Sequence, residues 1–242
     1  NHDNPRMLTR WGNDSPEYRD VSSKMLSAFL LTMRATPYYY AGDELGMNNI
    51  KFDSIDDYRD IETINMYRQL ESRGEDLSRF LDNQKITARD NSRTPLQWDT
   101  SENAGFSTGT PWLKVNPNYT TVNVAAQEED PESPLNFFRN LIQLRKKELT
   151  LVYGEYVLLD RDNPDVYSYI RQLQDTTILV MLNFSAGNAK VNLENLDLST
   201  AQLLLSNYPG RRNGSEAILV LSAYEARICK LKSANFYNNE ET

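Results

Sequence analysis

The stretch Pro37-Tyr38-Tyr39-Tyr40-Ala41-Gly42 is a short aromatic run closed by proline on one side and glycine on the other, the punctuation of a buried strand. Ahead of it, Ser15-Pro16 puts a capping hydroxyl before a proline at the first helical position. Val21, Met25, Ala28, Phe29 and Thr32 then recur at helical spacing, which predicts one helix over 16–34. A helix leading into an apolar strand is the unit from which α/β folds are built, so residues 37–41 read as a strand of a parallel sheet.

On the far side of that run, Ser54 precedes Ile55, Tyr58, Ile61, Ile64 and Tyr67 until Gly74 stops the pattern. This predicts a helix, followed by a second short one over 75–83. Residues 87–119 have no periodicity and carry Pro95, Gly105, Gly109, Pro111 and Pro117. Loops longer than about 12–15 residues in compact domains are functional or disordered. Trp98, Phe106 and Trp112 favour an ordered loop with a packed aromatic floor. Ser133-Pro134 repeats the capping device, and Leu135, Phe138, Leu141 and Ile142 predict a third long helix. Its basic end, Arg145-Lys146-Lys147, suits the negative pole of the helix dipole.

After Leu151 the texture changes to short β-rich segments at 154–159, 166–172, 176–184, 191–193, 201–206, 218–221 and 226–231. Spacing of about 8–12 residues between such segments indicates an antiparallel β-sandwich. The expected fold class is therefore α/β plus all-β, with a boundary near 150, a sandwich over 151–233 and a frayed polar tail over 234–242.

At 242 residues the chain is long enough for one large or two modest domains, taking about 150 residues per domain. Hydrophobic residues at 39% and charged residues at 25% exclude a disordered or low-complexity protein. With 26 Lys and Arg against 34 Asp and Glu, the net charge of -8 has the wrong sign for a nucleic-acid partner. The longest apolar run, Ile178-Leu179-Val180-Met181-Leu182, is strand-sized and far short of the roughly 20 residues of a membrane span. Cys229 stands alone, so no internal disulfide is possible and a reducing, cytoplasmic location is expected.

His2 is the one histidine. Metal clusters and Ser-His-Asp or Cys-His nucleophiles are thereby excluded unless His2 takes part, and any chemistry rests on carboxylates, arginines and aromatics. Taken alone, His2 reads as a solvated end group and Glu62 as part of a solvated helix face. Arg6 and Arg10 read as structural ion-pair partners. Tyr38, Tyr39 and Tyr40 read as core and rim packing, and Asp43-Glu44 as residues that fix a turn.

Asn1-His2-Asp3-Asn4-Pro5-Arg6 resembles the segment at the end of the seventh barrel strand in the α-amylase superfamily, glycoside hydrolase family 13. Thr36-Pro37-Tyr38-Tyr39-Tyr40-Ala41-Gly42-Asp43-Glu44-Leu45-Gly46-Met47 is similar to that family's eighth strand and the turn after it. Ala88-Arg89-Asp90-Asn91-Ser92-Arg93-Thr94-Pro95-Leu96-Gln97-Trp98-Asp99 resembles a signature of its oligo-1,6-glucosidase branch. The likeness is strong over 1–120 and weak over the sandwich.

The resemblance implies the C-terminal part of a (β/α)8 barrel over 1–150, comprising the end of the seventh strand, the eighth strand and the helices after them. A helical and loop insertion at about 48–120 belongs to it, and the antiparallel β-sandwich follows. A complete barrel takes about 250 residues, so the N-terminal part of the barrel is an implied partner. The implied activity is that of a retaining α-glucosidase acting on α-1,6-linked, or α-1,4-linked, gluco-oligosaccharides. Its nucleophile and acid/base carboxylates would lie on earlier strands, leaving this chain inactive by itself. Asp3 would stabilise the transition state and His2 would donate to a neighbouring sugar hydroxyl. Arg89 would reach the non-reducing-end glucose, with its partner aspartate upstream, and Glu62 would contact the next sugar. No cofactor and no metal are implied. Trehalose-6-phosphate hydrolase, dextran glucosidase and sucrose isomerase share these motifs and stand as alternatives for the parent, as does an isolated carbohydrate-binding or stabilising role for the chain.

Overall fold

The computed structural model describes residues 1–193, 196, 198, 201–211 and 220–231. The chain divides into two compact units, 1–23 with 38–136 and 24–37 with 137–242. No helix among the described residues is long and apolar enough to cross a membrane. The tail expected over 234–242 and the strand start expected at 218–219 lie outside the described residues.

The first unit is helices and turns. Helix α1 spans Met7–Trp11 and α2 begins at Arg19 and ends at Thr32, in the other unit. Its start is three residues later than the Ser15-Pro16 signal predicts, because Tyr18 N–H first closes a turn on Ser15 O at 3.1 Å. The helix predicted from residue 55 is split into a 3-10 turn, Ile55–Asp57, and helix α3, Ile61–Ser72. The cause is tertiary: the buried Asp90 carboxylate accepts both Arg59 N–H and Asp60 N–H at 2.7 Å, which takes two amides out of any helical ladder. Gly74, at φ +67°, turns the chain after α3. The Asp76 side chain then caps α4, Leu77–Thr87, by accepting from Ser78 N–H and Arg79 N–H. Helix α5, Val124–Glu129, is capped by the Asn123 side chain, and α6, Pro134–Lys147, leads into the second unit.

Residues 37–41 form no strand, contrary to the sequence expectation, and residues 1–154 contain none. A parallel strand exists only when flanking strands take up its amides and carbonyls. Here Tyr40 O is taken locally by Asp43 N–H and Ala41 O by Arg6 Nη1 at 2.6 Å. The expectation of a packed Tyr38 is also corrected, since it is 87% exposed. So is that of an aromatic floor: Trp98, Phe106 and Trp112 are all exposed. Polar bonds hold this loop instead. Trp98 N–H and Asp99 N–H both reach Ala104 O, and Gln97, Asn116, Asn118 and Asn48 form a side-chain network.

Arg6 is almost fully buried and fixes the segment that follows His2 and Asp3. Its N–H donates to Asn49 Oδ1 at 2.9 Å, its guanidinium to Ala41 O, and its charge faces Asp43 at 3.7 Å. Burial pushes the Asp43 carboxyl up to about 6, and the loose Arg6 contact only partly opposes it. The folded value lies above the unfolded one, so the contribution to stability is fully present below about pH 4 and is lost as pH rises through about 6. We expect urea midpoints to fall between pH 4.5 and pH 7 by an amount equivalent to at most about 3 kcal/mol. Asp43→Asn should flatten that slope; an unchanged slope would exclude Asp43 as its source.

The second unit is built on a five-stranded antiparallel sheet of order β1-β2-β3-β7-β5 and a two-stranded β4-β6 pair. The strands are β1 Glu155–Leu159, β2 Val166–Leu173, β3 Thr176–Asn183, β4 Ala189–Lys190, β5 Gln202–Ser206, β6 Val220–Leu221 and β7 Ala226–Leu231. The predicted strand at 191–193 is displaced to 189–190, where Ala189 and Lys190 pair with Leu221 and Val220. Register in the centre is set by Tyr169 opposite Val180 and Leu179 opposite Cys229.

One face of the sheet buries Val166, Ile170, Leu179, Met181, Cys229 and Leu231 against Ala189, Val191 and Leu221. The other face meets the C-terminal part of α2: the Phe29 and Tyr167 rings stack edge to face at 5.8 Å, and Thr32 Oγ1 bonds Tyr169 OH at 2.5 Å. Burial on both faces explains why residues 178–182 form an unbroken apolar run rather than an alternating one. Arg171, also on that second face, is buried beside α2 and the short helix α7, Thr150–Tyr153.

Candidate active site

Two loops of the first unit carry the candidate side chains. The first opens the chain: Asp3 N–H bonds Asn1 Oδ1 at 2.8 Å and Asn4 N–H bonds Asn1 O, a tight turn that presents His2 and Asp3. Arg6, anchored as above, ends it. The second follows α4. Asn91 is fully buried, and its Nδ2 donates to Gln84 O, Lys85 O and Ala88 O while its Oδ1 accepts from Lys51 N–H. A single amide thus closes the carbonyl end of α4 and holds the 3-10 turn Arg89–Ser92. Ser92 Oγ donates to Arg89 O and to Asn1 O, which ties the two loops together.

His2, Asp3, Glu62 and Arg89 meet in space. His2 Nε2 lies 3.3 Å from Asp3 Oδ2, and Arg89 Nη1 lies 3.7 Å from Asp3 Oδ1. Arg89 Nη2 contacts Asp60 Oδ1 at 2.7 Å and Glu62 Oε2 at 3.2 Å. Asp3 and Glu62 are accessible, at 53% and 77% side-chain exposure, while Asp60 is buried at 6%. Burial works against the Asp60 carboxylate, yet the Arg89 hydrogen bond and charge, with Thr63 Oγ1, hold it below the usual carboxylate range. Asp60 is therefore an ionised, fixed counter-ion that orients the Arg89 fork.

The aspartate expected upstream as the partner of Arg89 lies outside this sequence; within the chain, Asp60 pairs with Arg89 at 2.7 Å. Sequence reasoning passed over this pairing and over Arg93, whose guanidinium reaches Asp3 Oδ1 at 3.3 Å and Asp90 Oδ1 at 3.2 Å. Two signals were available. Asp60 stands two residues before Glu62, at the N-terminus of α3, and Arg93 belongs to the same motif as Arg89.

Asp3, Asp60, Glu62 and Arg89 line an open cleft of about 330 Å³ together with Met66, Phe80 and Gln84 from α3 and α4. Carboxylates that accept, a guanidinium fork that donates and apolar side chains together suit a neutral polyol: hydroxyls meet the charged groups, and ring C–H faces meet the apolar ones. In this cluster four carboxylates, Asp3, Asp60, Glu62 and Asp90, stand against two guanidiniums, Arg89 and Arg93. That balance disfavours an anionic ligand. Among the described residues no group of His, Cys, Asp and Glu side chains is arranged to hold a metal ion.

The alpha amylase catalytic domain family matches residues 1–154, and the maltogenic amylase C-terminal domain family matches residues 156–228. The oligo-1,6-glucosidase of Parageobacillus thermoglucosidasius is 46% identical over 234 residues, covering 96% of this chain. Among solved structures, trehalose-6-phosphate hydrolase of Bacillus licheniformis superposes with a TM-score of 0.90 at 37% identity. Isomaltulose synthase of Erwinia rhapontici NX5 gives 0.89 at 42% identity; each structure also covers 96% of this chain. The chain spans 42% of the length of each of these three proteins. With a catalytic-domain match over its first 154 residues, the chain belongs to the α-amylase family, glycoside hydrolase family 13.

Proposed function

We propose that this chain is the sugar-gripping part of a retaining α-glucosidase that hydrolyses α-1,6-linked gluco-oligosaccharides. In this reading the chain is the C-terminal portion of a longer polypeptide. The domain boundary falls near 150, and the nucleophile and acid/base lie on the preceding part. The observation that carries the reading is the convergence of residues 3, 62 and 89 on one accessible cleft, with Arg89 3.2 Å from Glu62 and 3.7 Å from Asp3, and with His2 3.3 Å from Asp3.

Each residue then has a task. Asp3 accepts hydrogen bonds from ring hydroxyls, and these strengthen as the sugar flattens toward an oxocarbenium-like state, so they favour the transition state over the bound substrate. His2, 3.3 Å from Asp3, donates to a neighbouring hydroxyl. Arg89, held by Asp60 at 2.7 Å, presents its remaining N–H groups to the terminal glucose, and exposed Glu62 meets the next ring.

A trehalose-6-phosphate hydrolase is the nearest competing reading, given the similarity to a solved structure of that enzyme. The excess of carboxylates in the cleft favours neutral sugars over phosphorylated ones. The test is hydrolysis by the complete polypeptide: isomaltose, and more weakly maltose, should be turned over. Activity confined to trehalose 6-phosphate would overturn the assignment. The isolated 242-residue chain should show no turnover of a chromogenic α-glucoside above a His2→Ala/Asp3→Ala control, because the covalent step requires two carboxylates that it does not supply.

A further inference from the structure

We infer that Arg93 is the positioning residue for the Asp3 carboxylate. The inference rests on the proposed glucosidase reading and assigns a role that the reading itself does not require. Each of the three nitrogen positions of the guanidinium has a different acceptor. Nε donates to His2 O at 2.8 Å, Nη2 to Asp3 Oδ1 at 3.3 Å, and Nη1 to Asp90 Oδ1 at 3.2 Å. The first two fix both the backbone and the side chain of the loop that presents Asp3.

The third contact gives the clamp its rigidity. Asp90 is fully buried, and its other oxygen accepts Arg59 N–H and Asp60 N–H. Arg93 is therefore braced against the same carboxylate that sets the start of α3 and the position of Asp60, the counter-ion of Arg89. Asp3 Oδ1 is held by Arg93 and faced by Arg89, while Oδ2 is turned to His2. The carboxylate consequently has one orientation with respect to the cleft. A planar fork with donors in fixed directions can do this; a lysine ammonium is a single point charge and cannot span three acceptors. At 18% side-chain exposure against 53% for Asp3, Arg93 is the more buried of the two and does not line the cleft, so it acts on the reaction through Asp3.

Misplacing a group that contacts the transition state costs rate more than substrate affinity. In the complete polypeptide acting on isomaltose, Arg93→Ala should lower kcat by about thirtyfold with KM within about threefold. Guanidinium ion, added well below denaturing concentration, should restore several-fold of the lost kcat in Arg93→Ala and none in the wild type. Arg93→Lys should keep the fold, read by circular dichroism, and still lose about tenfold in kcat; it serves as the readout if the alanine variant fails to fold. Unchanged kcat in either variant overturns the inference. A loss without response to guanidinium also overturns it, because that marks a scaffold role alone. If the wild-type polypeptide turns over neither isomaltose nor maltose, the glucosidase reading fails first and the inference falls with it.

Discussion

Asp3→Asn in the complete polypeptide is expected to lower kcat on isomaltose by about a thousandfold, roughly 4 kcal/mol of transition-state stabilisation, while KM changes by less than about tenfold. The substitution preserves shape and removes charge, so it isolates the electrostatic part of the role. Positive charge develops on the sugar only as the bond breaks, and an anion fixed nearby acts on that state and barely on the ground state. The asparagine amide would also face two guanidiniums, Arg89 and Arg93, where carboxylate Oδ1 had accepted from Arg93 and met the charge of Arg89. Some of the loss will therefore reflect local rearrangement, and a crystal structure of the variant separates that part. Steady-state kinetics decide the main point. A loss carried by KM with kcat unchanged would make Asp3 a binding residue only, and the proposed mechanism would fail.

The largest effect on stability is expected at a residue remote from the cleft. Arg171→Met should destabilise the second unit by about 2–5 kcal/mol, taking about 1–3 kcal/mol for each of two buried carbonyls that lose its donation. Arg171 is fully buried in β2, and its guanidinium donates to Thr32 O at 2.7 Å, Leu151 O at 2.8 Å and Gly154 O at 2.8 Å. Thr32 is the last residue of α2, and Leu151 lies in α7, so the cation sits at the carbonyl ends of two helices, beside their negative dipole ends. Methionine would fill most of the volume and take the guanidinium away from Thr32 O and Gly154 O, while Leu151 O keeps its bond from Arg145 Nη1 at 2.9 Å. Arg34→Met is the contrasting case: Arg34 pairs with Glu155 at the surface, about half-exposed, and should cost under about 1 kcal/mol. Urea unfolding of the two variants distinguishes them, and a loss below about 1 kcal/mol for Arg171→Met would remove Arg171 from the account of what holds this unit together.

Where local chemistry decides a feature, the sequence carried it. Gly74 and Ser133-Pro134 act through their own backbone or the adjacent turn, and helices α4 and α6 begin close to where these signals put them. The β-rich spacing after Leu151 likewise became an antiparallel sheet, because hairpin partners are neighbours in the chain. The cleft was legible for a different reason. Two short motifs, at 1–6 and 88–99, carried His2, Asp3 and Arg89, and similarity to a family named their tasks.

What the chain order alone determined, then, is its membership of a family, its helices with local caps and its sheet-forming half, and it named four residues, His2, Asp3, Glu62 and Arg89, that we propose for the site. Tertiary structure decided the rest. Residues 37–41 lack a strand because a parallel ladder needs partners that local pattern cannot provide, and the helix expected from residue 55 broke because Asp90, thirty residues on, took the amides of Arg59 and Asp60. Asp60 and Arg93 joined the site by the same logic: a carboxylate or a guanidinium acquires its role from the charges that folding brings within a few ångströms, and that distance is written nowhere in the order of residues.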